Sequence, residues 1–192
     1  MNTIPVVVGI DYSMTSPCIC ISDHTGLEFH YLTTMKKFEM CVEFDSVSIT
    51  GHLMPPWIDD TNRFDVISEW AVRKVLGDWN KIDMVVLEDY SFASTGRTFQ
   101  IGENFGLLKY KLRRSIIPFV TVPPTVLKKF ATGKGNAKKD MMEQAFITET
   151  GHDIKARLGM TEKQWNPSSD VIDSYYLAKF WRSSLSEREV DV

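Results

Sequence analysis

Residues 6–11, VVVGID, form an apolar run that ends in an acid. A second run of the same kind, MVVLE, occupies residues 84–88. Continuous apolar runs of this length are typical of strands that are buried in a sheet. An acid at the end of a buried strand is unfavourable unless a cation or a proton neutralises it. Asp11 and Glu88 are therefore the first candidates for a functional site.

A third place in the chain carries two more acids. Asp170 and Asp173 open the amphipathic stretch 170–178, and their spacing puts both on one face of a helix. The helix dipole alone favours acids in a first turn, which is the simpler explanation of this pair. The same face continues to Leu177, however, which indicates a packed helix. Oxygen ligands suit hard divalent metals, and two such metals can drive in-line displacement at a phosphate, so the pattern predicts a metal-dependent phosphodiesterase acting on nucleic acid.

The distribution of charge matters more than its sum. The net charge is -3, which by itself argues against a nucleic-acid binder. Residues 104–139 nevertheless contain no Asp or Glu, and they carry the basic side chains Lys109, Lys111, Arg113, Arg114, Lys128, Lys129, Lys134, Lys138 and Lys139. A solvated lysine-rich face would give the same composition, so this segment alone does not decide between the two interpretations.

The whole-chain composition narrows the class of protein. With 192 residues and 43% hydrophobic content, the chain is expected to fold as one domain spanning 1–192. Its apolar stretches are shorter than the roughly 18 residues of a membrane span, and a secretory signal is not expected. Cys18, Cys20 and Cys41 are interpreted as reduced thiols. We therefore expect an intracellular, cytoplasmic protein that is not secreted and has no membrane partner.

The periodicity of the chain predicts an α/β sandwich with a mixed sheet. Three strands in a meander are expected at 6–10, 18–21 and 28–33, followed by strands at 84–87 and 119–122. Helices are expected from about 62 to 76, around 101–112, and at 125–131, 137–150 and 169–182. In such a sheet the first strand lies centrally beside the fourth, which would make Asp11 and Glu88 neighbours.

Two segments resist assignment by this periodicity. Residues 36–60 form an insertion with a possible strand near 42–49, and residues 183–192 are expected to be an acidic C-terminal tail.

Two segments are candidate DNA contacts. Residues 125–140 lack the spacing of a nucleotide-binding P-loop, but glycines and lysines at a helix start can bind a phosphodiester backbone, here through Lys128, Lys134, Lys138 and Lys139. The second segment follows Glu88 and contains Phe92 and Arg97. An exposed Phe92 could stack on bases, and the alternative is that the ring packs in the core.

Taken together, these blocks resemble the RuvC family of Holliday-junction resolvases in the RNase H-like superfamily. The matching blocks are residues 8–11, 86–88, 101–106, 124–139 and 166–173, in the family's order and over nearly the whole chain. The resemblance implies an RNase H-like fold, with a central mixed five-stranded sheet flanked by helices. Phe92 lies one position later than the family's base-stacking aromatic, and residues 103–106 depart from the family's helix motif, so a divergent branch, phage or viral in origin, is expected.

The resemblance also implies the chemistry. Asp11, Glu88, Asp170 and Asp173 would hold two Mg²⁺ ions, for which Mn²⁺ could substitute. One ion would activate the attacking water, and the other would stabilise the leaving 3′ oxygen, to give 5′-phosphate and 3′-hydroxyl ends. Lys128 and Lys139 match lysines near the scissile phosphate, and Lys139 is accordingly placed among the catalytic residues. Paired nicks in a two-fold symmetric four-way junction suit a homodimer.

Three other hypotheses compete with a junction resolvase. The first is a less selective RNase H-like nuclease that cuts branched DNA, flaps or hybrids. The second is a non-catalytic binding module, which would gain nothing from the concentrated acids. The third is an actin-like or sugar-kinase fold, suggested by residues 9–16, which would need a second lobe that 192 residues cannot supply.

Overall fold

The computed structural model describes residues 4–77, 82–89 and 97–190, and side chains for all of these except 186–190. Seven strands are assigned in this part of the chain: β1 (Val7–Asp11), β2 (Cys18–Ser22), β3 (Leu27–Thr33), β4 (Cys41–Phe44), β5 (Val47–Leu53), β6 (Met84–Glu88) and β7 (Phe119–Val122). They form one mixed sheet in the order β4-β5-β3-β2-β1-β6-β7. The first three strands are antiparallel neighbours, whereas β6 runs parallel to both β1 and β7.

Helices cover both faces of this sheet. They are α1 (Asp60–Leu76), α2 (Thr98–Arg114), α3 (Pro124–Thr132), α4 (Lys139–Thr150), the short α5 (Ile154–Arg157) and α6 (Ser168–Val190). Helices α1 and α2 pack on one face with apolar residues such as Ala71 and Leu108, and α3 to α6 pack on the other with residues such as Leu127 and Leu177. The α/β class and the central mixed sheet between helices are confirmed.

The sheet has seven strands, so the predicted count of five is wrong. Both additional strands come from the insertion at residues 36–60. Asp45 adopts a left-handed conformation (φ 49°), which turns the chain tightly between β4 and β5. Strand β5 then pairs parallel to β3. The insertion thus extends one edge of the sheet, far from β6.

The pairing of β1 with β6 places the first two acids. Ile10 lies opposite Leu87 in the parallel register, so Asp11 and Glu88 follow at the same end of adjacent strands. Side chains alternate between the faces of a strand, and Val8, Ile10 and Leu87 pack against α1 and α2. Asp11 and Glu88 therefore point to the opposite face, where α6 lies. The predicted adjacency of these two strands is confirmed.

Helix α6 approaches β1 most closely at Gly9. A Cβ built on Gly9 would lie 2.1 Å from the carbonyl oxygen of Ser174 and 2.6 Å from the amide nitrogen of Ala178. Only a residue without a side chain fits here. By contrast, a Cβ at Gly102 or Gly106 on α2 would have nothing among the described residues within 4 Å.

Helix α6 is also longer than the periodicity predicts. It continues past Arg182 to Val190, so residues 183–190 of the expected acidic tail belong to this helix. The stretch contains neither Gly nor Pro to end the helix. Within the described residues, no helix is both long enough and apolar enough to span a bilayer.

We expect Gly9→Ala to destabilise the fold by about 1–3 kcal/mol, because the new methyl group must push α6 away from β1. The free energy of urea-induced unfolding measures this change. Gly102→Ala is the matched control, since its methyl group enters open space in the middle of a helix and should stabilise by about 0.5–1 kcal/mol. An unchanged unfolding free energy for Gly9→Ala would show that α6 does not lie against β1.

Candidate active site

Four carboxylates from three elements meet at the end of the sheet. Asp11 ends β1, Glu88 ends β6, and Asp170 and Asp173 occupy the first turns of α6. Their proximity is visible in their electrostatics, since Asp170, Glu88 and Asp173 each raise the pKa of Asp11. The strand ends and the helix start that carry these acids are distant in sequence. The fold brings them together through the β1–β6 pairing and the contact of α6 with Gly9.

Burial dominates the ionisation of all four acids. Loss of solvent raises the pKa of Asp11 well above its ordinary value, and the neighbouring carboxylates raise it further. Burial, followed by the charge of Asp173, raises the pKa of Glu88 to about 7. It likewise raises the pKa of Asp170 to about 7 and that of Asp173 to about 6. Near neutral pH the protein surroundings therefore disfavour full ionisation of the cluster.

Two lysines partly offset this charge. Lys139 lowers the pKa of Asp11, Asp170 and Asp173, and Lys128 lowers that of Glu88 and Asp173. Lys128 lies on α3 and Lys139 begins α4, on the helices expected at 125–131 and 137–150. The pKa of each acid remains raised all the same, so the lysines do not complete the neutralisation.

Asn166 connects the start of α6 to the loop after β1. Its Nδ2 donates to both carboxylate oxygens of Asp170, at 2.9 and 2.8 Å, and to Ser16 Oγ at 2.7 Å. Its Oδ1 accepts from Lys139 Nζ at 3.2 Å, and the same Nζ lies 3.1 Å from Ser169 Oγ. Asn166 thereby fixes the orientation of Asp170 and the position of Lys139.

No functional role was predicted from the sequence for Asn166, Ser16 or Ser169. The available signal was the position of Asn166 four residues before Asp170, at the start of a helix. Nothing in the sequence places Ser16 beside Asn166, because 150 residues separate them.

The remaining candidate DNA contacts lie farther out. Lys138 is exposed directly before α4 and lines a cavity together with Lys139. Lys134 is exposed in the connection between α3 and α4, and it lines neither of the two cavities that the acids border. Arg97 is exposed at the start of α2. Phe92 lies outside the described residues, so its predicted stacking role stays a prediction.

Two cavities flank the acids. The first, of about 510 Å³, lies between α3, α4 and α6 and is bordered by Asp173. The second, of about 480 Å³, lies towards α2 and is bordered by Asp11. Glu88 and Lys128 line both cavities, so the two cavities adjoin each other at the acid cluster. A polymer could pass over the acids from one cavity into the other.

The donor chemistry of the cluster fits a hard divalent cation. Four carboxylates supply only oxygen ligands, and a bound cation would offset the burial that raises the pKa of each of them. The geometry is not that of a finished cage, because in the described part of the chain no three His, Cys, Asp or Glu side chains are arranged to hold a metal ion. The fit thus rests on donor type and charge rather than on a preformed coordination shell.

Comparison with known proteins shows what the fold resembles. Neither the known protein-family models nor the curated protein sequences contain a match to this chain. Among solved structures, Thermus thermophilus RuvC is 18% identical over 90% of this chain and 90% of its own, with a TM-score of 0.53.

A second structure, T. thermophilus RuvC in complex with a Holliday junction substrate, is 16% identical over 91% of this chain and 90% of its own, with a TM-score of 0.54. The Fowlpox virus resolvase, in complex with Holliday junction DNA, is 14% identical over 94% of this chain and 98% of its own, with a TM-score of 0.49. The RuvC comparisons show that this chain has the RuvC-type, RNase H-like fold.

Proposed function

We propose that this chain is a metal-dependent endonuclease that resolves four-way DNA junctions by paired symmetric nicks. The observation that carries the proposal is the convergence of Asp11, Glu88, Asp170 and Asp173 between two lysines. A protein that only bound DNA would be hindered by such a concentration of negative charge. The RuvC-type fold, seen in T. thermophilus RuvC bound to a Holliday junction substrate, supports the choice of a branched substrate.

The basic side chains would bind the phosphodiester backbone. Lys128, Lys138 and Lys139 border the same cavity as Glu88 and Asp173. A strand that follows the lysines is therefore led to the acids. Contacts of this kind position a backbone without selecting its sequence, since phosphates are the same at every nucleotide.

The four carboxylates would hold two Mg²⁺ ions, or Mn²⁺ in their place. When bound, such ions supply positive charge at the attacking and leaving oxygens of an in-line displacement at phosphate. Asn166 keeps Asp170 turned towards the cluster. Lys139, held by Asn166 and Ser169, presents a cation to the phosphate beside Asp173. The products would carry 5′-phosphate and 3′-hydroxyl ends.

Asp173→Asn should reduce the rate of junction cutting by at least about a thousandfold and leave junction affinity intact. A lost metal ligand removes several kcal/mol of charge stabilisation, and about 1.4 kcal/mol corresponds to tenfold in rate. The measurement is cleavage of a synthetic four-way junction with and without Mg²⁺. Asp140→Asn, at an exposed acid on α4, is the matched control and should cut normally.

The same assay tests the broader alternative. A junction, a flap, a nicked duplex and an RNA–DNA hybrid are supplied at equal concentration. Preferential paired cutting of the junction supports the resolvase, and equal cutting of all four supports a less selective nuclease. Wild-type rates for Asp173→Asn would contradict both.

Without divalent metal, the stability of the protein should fall as pH rises from 6.5 to 8.5. Folding raises the pKa of Glu88 and Asp170 to about 7, so the folded state favours their protonated forms and loses stability as they ionise. Burial lowers the pKa of His30 and of His52 to about 4. These histidines therefore affect the stability of the fold only below about pH 6.5, where their unfolded forms become protonated, and the measurement is made above that pH.

Urea unfolding in EDTA at several pH values measures this effect. Glu88→Gln should flatten the decline, and added Mg²⁺ should reverse it at pH 8.5. A decline of equal slope in wild type and Glu88→Gln would show that this acid is not ionising in the buried cluster.

We further propose that the active form is a homodimer that pairs through the exposed face of α2. On that face Phe99 is 87% exposed and Tyr110 is 61% exposed, with the open surface of Gly106 between them. Apolar side chains exposed along one helix stripe are typical of an interaction surface. A two-fold axis there would present two active sites to the two-fold symmetric junction.

Phe99→Glu and Tyr110→Glu should each convert the dimer to a monomer, because a charge would be buried at the interface. Sedimentation measures the mass, and trapping of nicked circular intermediates measures whether the two cuts remain paired. Ile58→Glu, a charge placed at another side chain that is 90% exposed, is the control and should leave the dimer intact. If both α2 variants keep the mass of the dimer, the interface does not lie on this face of α2.

A further inference from the structure

The cavity between α3, α4 and α6 extends beyond what phosphate binding requires. Besides lysines and Asp173, its lining includes Trp165, Met142 and Glu143. Its volume of about 510 Å³ falls within the roughly 300–1,000 Å³ of typical ligand sites. An aromatic and apolar wall has no role in binding a backbone phosphate. It is suited to a flat, partly apolar group.

Trp165 is held in place from outside the cavity. Lys155 Nζ lies 3.8 Å from the centre of the indole ring, and it donates to Glu143 Oε2 at 2.9 Å. These two charged side chains are largely buried, at 12% and 19% exposure. Trp165 borders the cavity, whereas Lys155 is not among its lining residues. The contact with Lys155 holds the indole, which can serve as a stacking platform at the border of the cavity.

Two polar groups of the cavity have hydrogen-bonding capacity to spare. Ser168 is 1% exposed, and its buried Oγ has no hydrogen-bond partner among the residues that the structure describes. Glu143 is engaged by Lys155 through one carboxylate oxygen, and the second can accept a hydrogen bond from a ligand. An orphan hydroxyl beside a platform ring indicates a ligand with polar edges rather than a purely apolar one.

We propose that this cavity binds an unpaired nucleobase of the strand being cut, at a nucleotide next to the scissile phosphate. The proposal rests on the nuclease function above and gives it a sequence preference. The base would stack on Trp165, as bases do on aromatic side chains in single-strand binding sites. Asp173 and Lys139 border the same space, so the base would sit directly beside the acids.

The acceptor chemistry of Glu143 narrows the base. A carboxylate accepts hydrogen bonds and donates none, so it pairs with an exocyclic amino group such as the N4 amine of cytosine. Adenine, cytosine and guanine carry such a group, whereas the one Watson–Crick donor of thymine is its N3–H, which lies between two carbonyl oxygens that a carboxylate repels. We therefore expect discrimination against thymine at one position beside the nick.

Junctions with randomised nucleotides around the nick sites test this preference. Sequencing of the cut ends should show thymine disfavoured about tenfold or more at one position. Glu143→Gln adds an amide donor and should reduce that discrimination to within about threefold. Asp140→Asn should retain the full preference. If the preference is the same in Glu143→Gln as in the wild type, the base does not contact Glu143 and the proposal is overturned.

A binding experiment separates failure of this inference from failure of the proposed function, because it needs no cutting. Abasic nucleotides are scanned through the junction strand, and affinities are measured for Asp173→Asn alone and with Trp165→Ala or Trp165→Phe added. At one position the abasic site should weaken binding about tenfold when Trp165 is present. The same abasic site should have no effect on binding by the Trp165→Ala variant. With Trp165→Phe, most of the tenfold loss should return.

The remaining outcomes each decide against the proposal. If abasic nucleotides weaken binding equally at every position, with or without Trp165, the cavity holds no base. Competition by free deoxycytidine monophosphate at millimolar concentration, without any abasic effect, would assign the cavity to a free nucleotide instead. Junction cutting by the wild type alongside either result would leave the nuclease function standing.

Discussion

The contact of α6 with β1 at Gly9 is the constraint on which the site depends. Because Gly9 has no side chain, the α6 backbone lies against the strand at Ser174 and Ala178. Asp173 directly precedes Ser174, and Asp170 lies one turn earlier, so the start of the helix reaches the end of the strand. Asp11 is two residues beyond Gly9 on the same face of β1. A larger residue at position 9 would separate the acids that the fold otherwise brings together.

That contact produces an arrangement which opposes folding. Four acids lose solvent together, and Lys128 and Lys139 lower their pKa values without returning them to the ordinary range. Clusters of this kind are typical of functional sites, where stability is lost in favour of chemistry. The same lysines line a cavity together with Glu88 and Asp173, so positive and negative side chains border one space. Under the proposed function, a divalent cation would complement the acids and a phosphate would complement the lysines.

The sequence predicted the parts of this site that local rules determine. Apolar runs that end in Asp11 and Glu88 gave the strand ends, and the spacing of Asp170 and Asp173 gave a shared helix face, all of which the structure contains. The β4–β5 hairpin was missed as two strands because its turn depends on a left-handed Asp45 rather than on glycine.

Contacts between distant residues were not predictable from local patterns. Ser16 and Asn166 are neighbours only because β1 and α6 pack together. The Trp165 platform was missed for the same reason, since nothing local indicates that Lys155 covers one side of the ring. The cavity wall could not be predicted from the sequence either, because α4 and α6 contribute to it from separate parts of the chain.

The short segment from 165 to 169 joins the chemistry of the site to its proposed selectivity. Trp165 and Ser168 face the cavity, whereas Asn166 holds Asp170 and Ser169 contacts Lys139. A base that moves Trp165 must therefore act on a segment whose next residue orients a carboxylate. Selection of a base and alignment of the acids need not be separate events, because a base that fits poorly would disturb Asp170 through Asn166. On this argument, sequence preference would be expressed in the rate of cutting more than in the affinity for the junction.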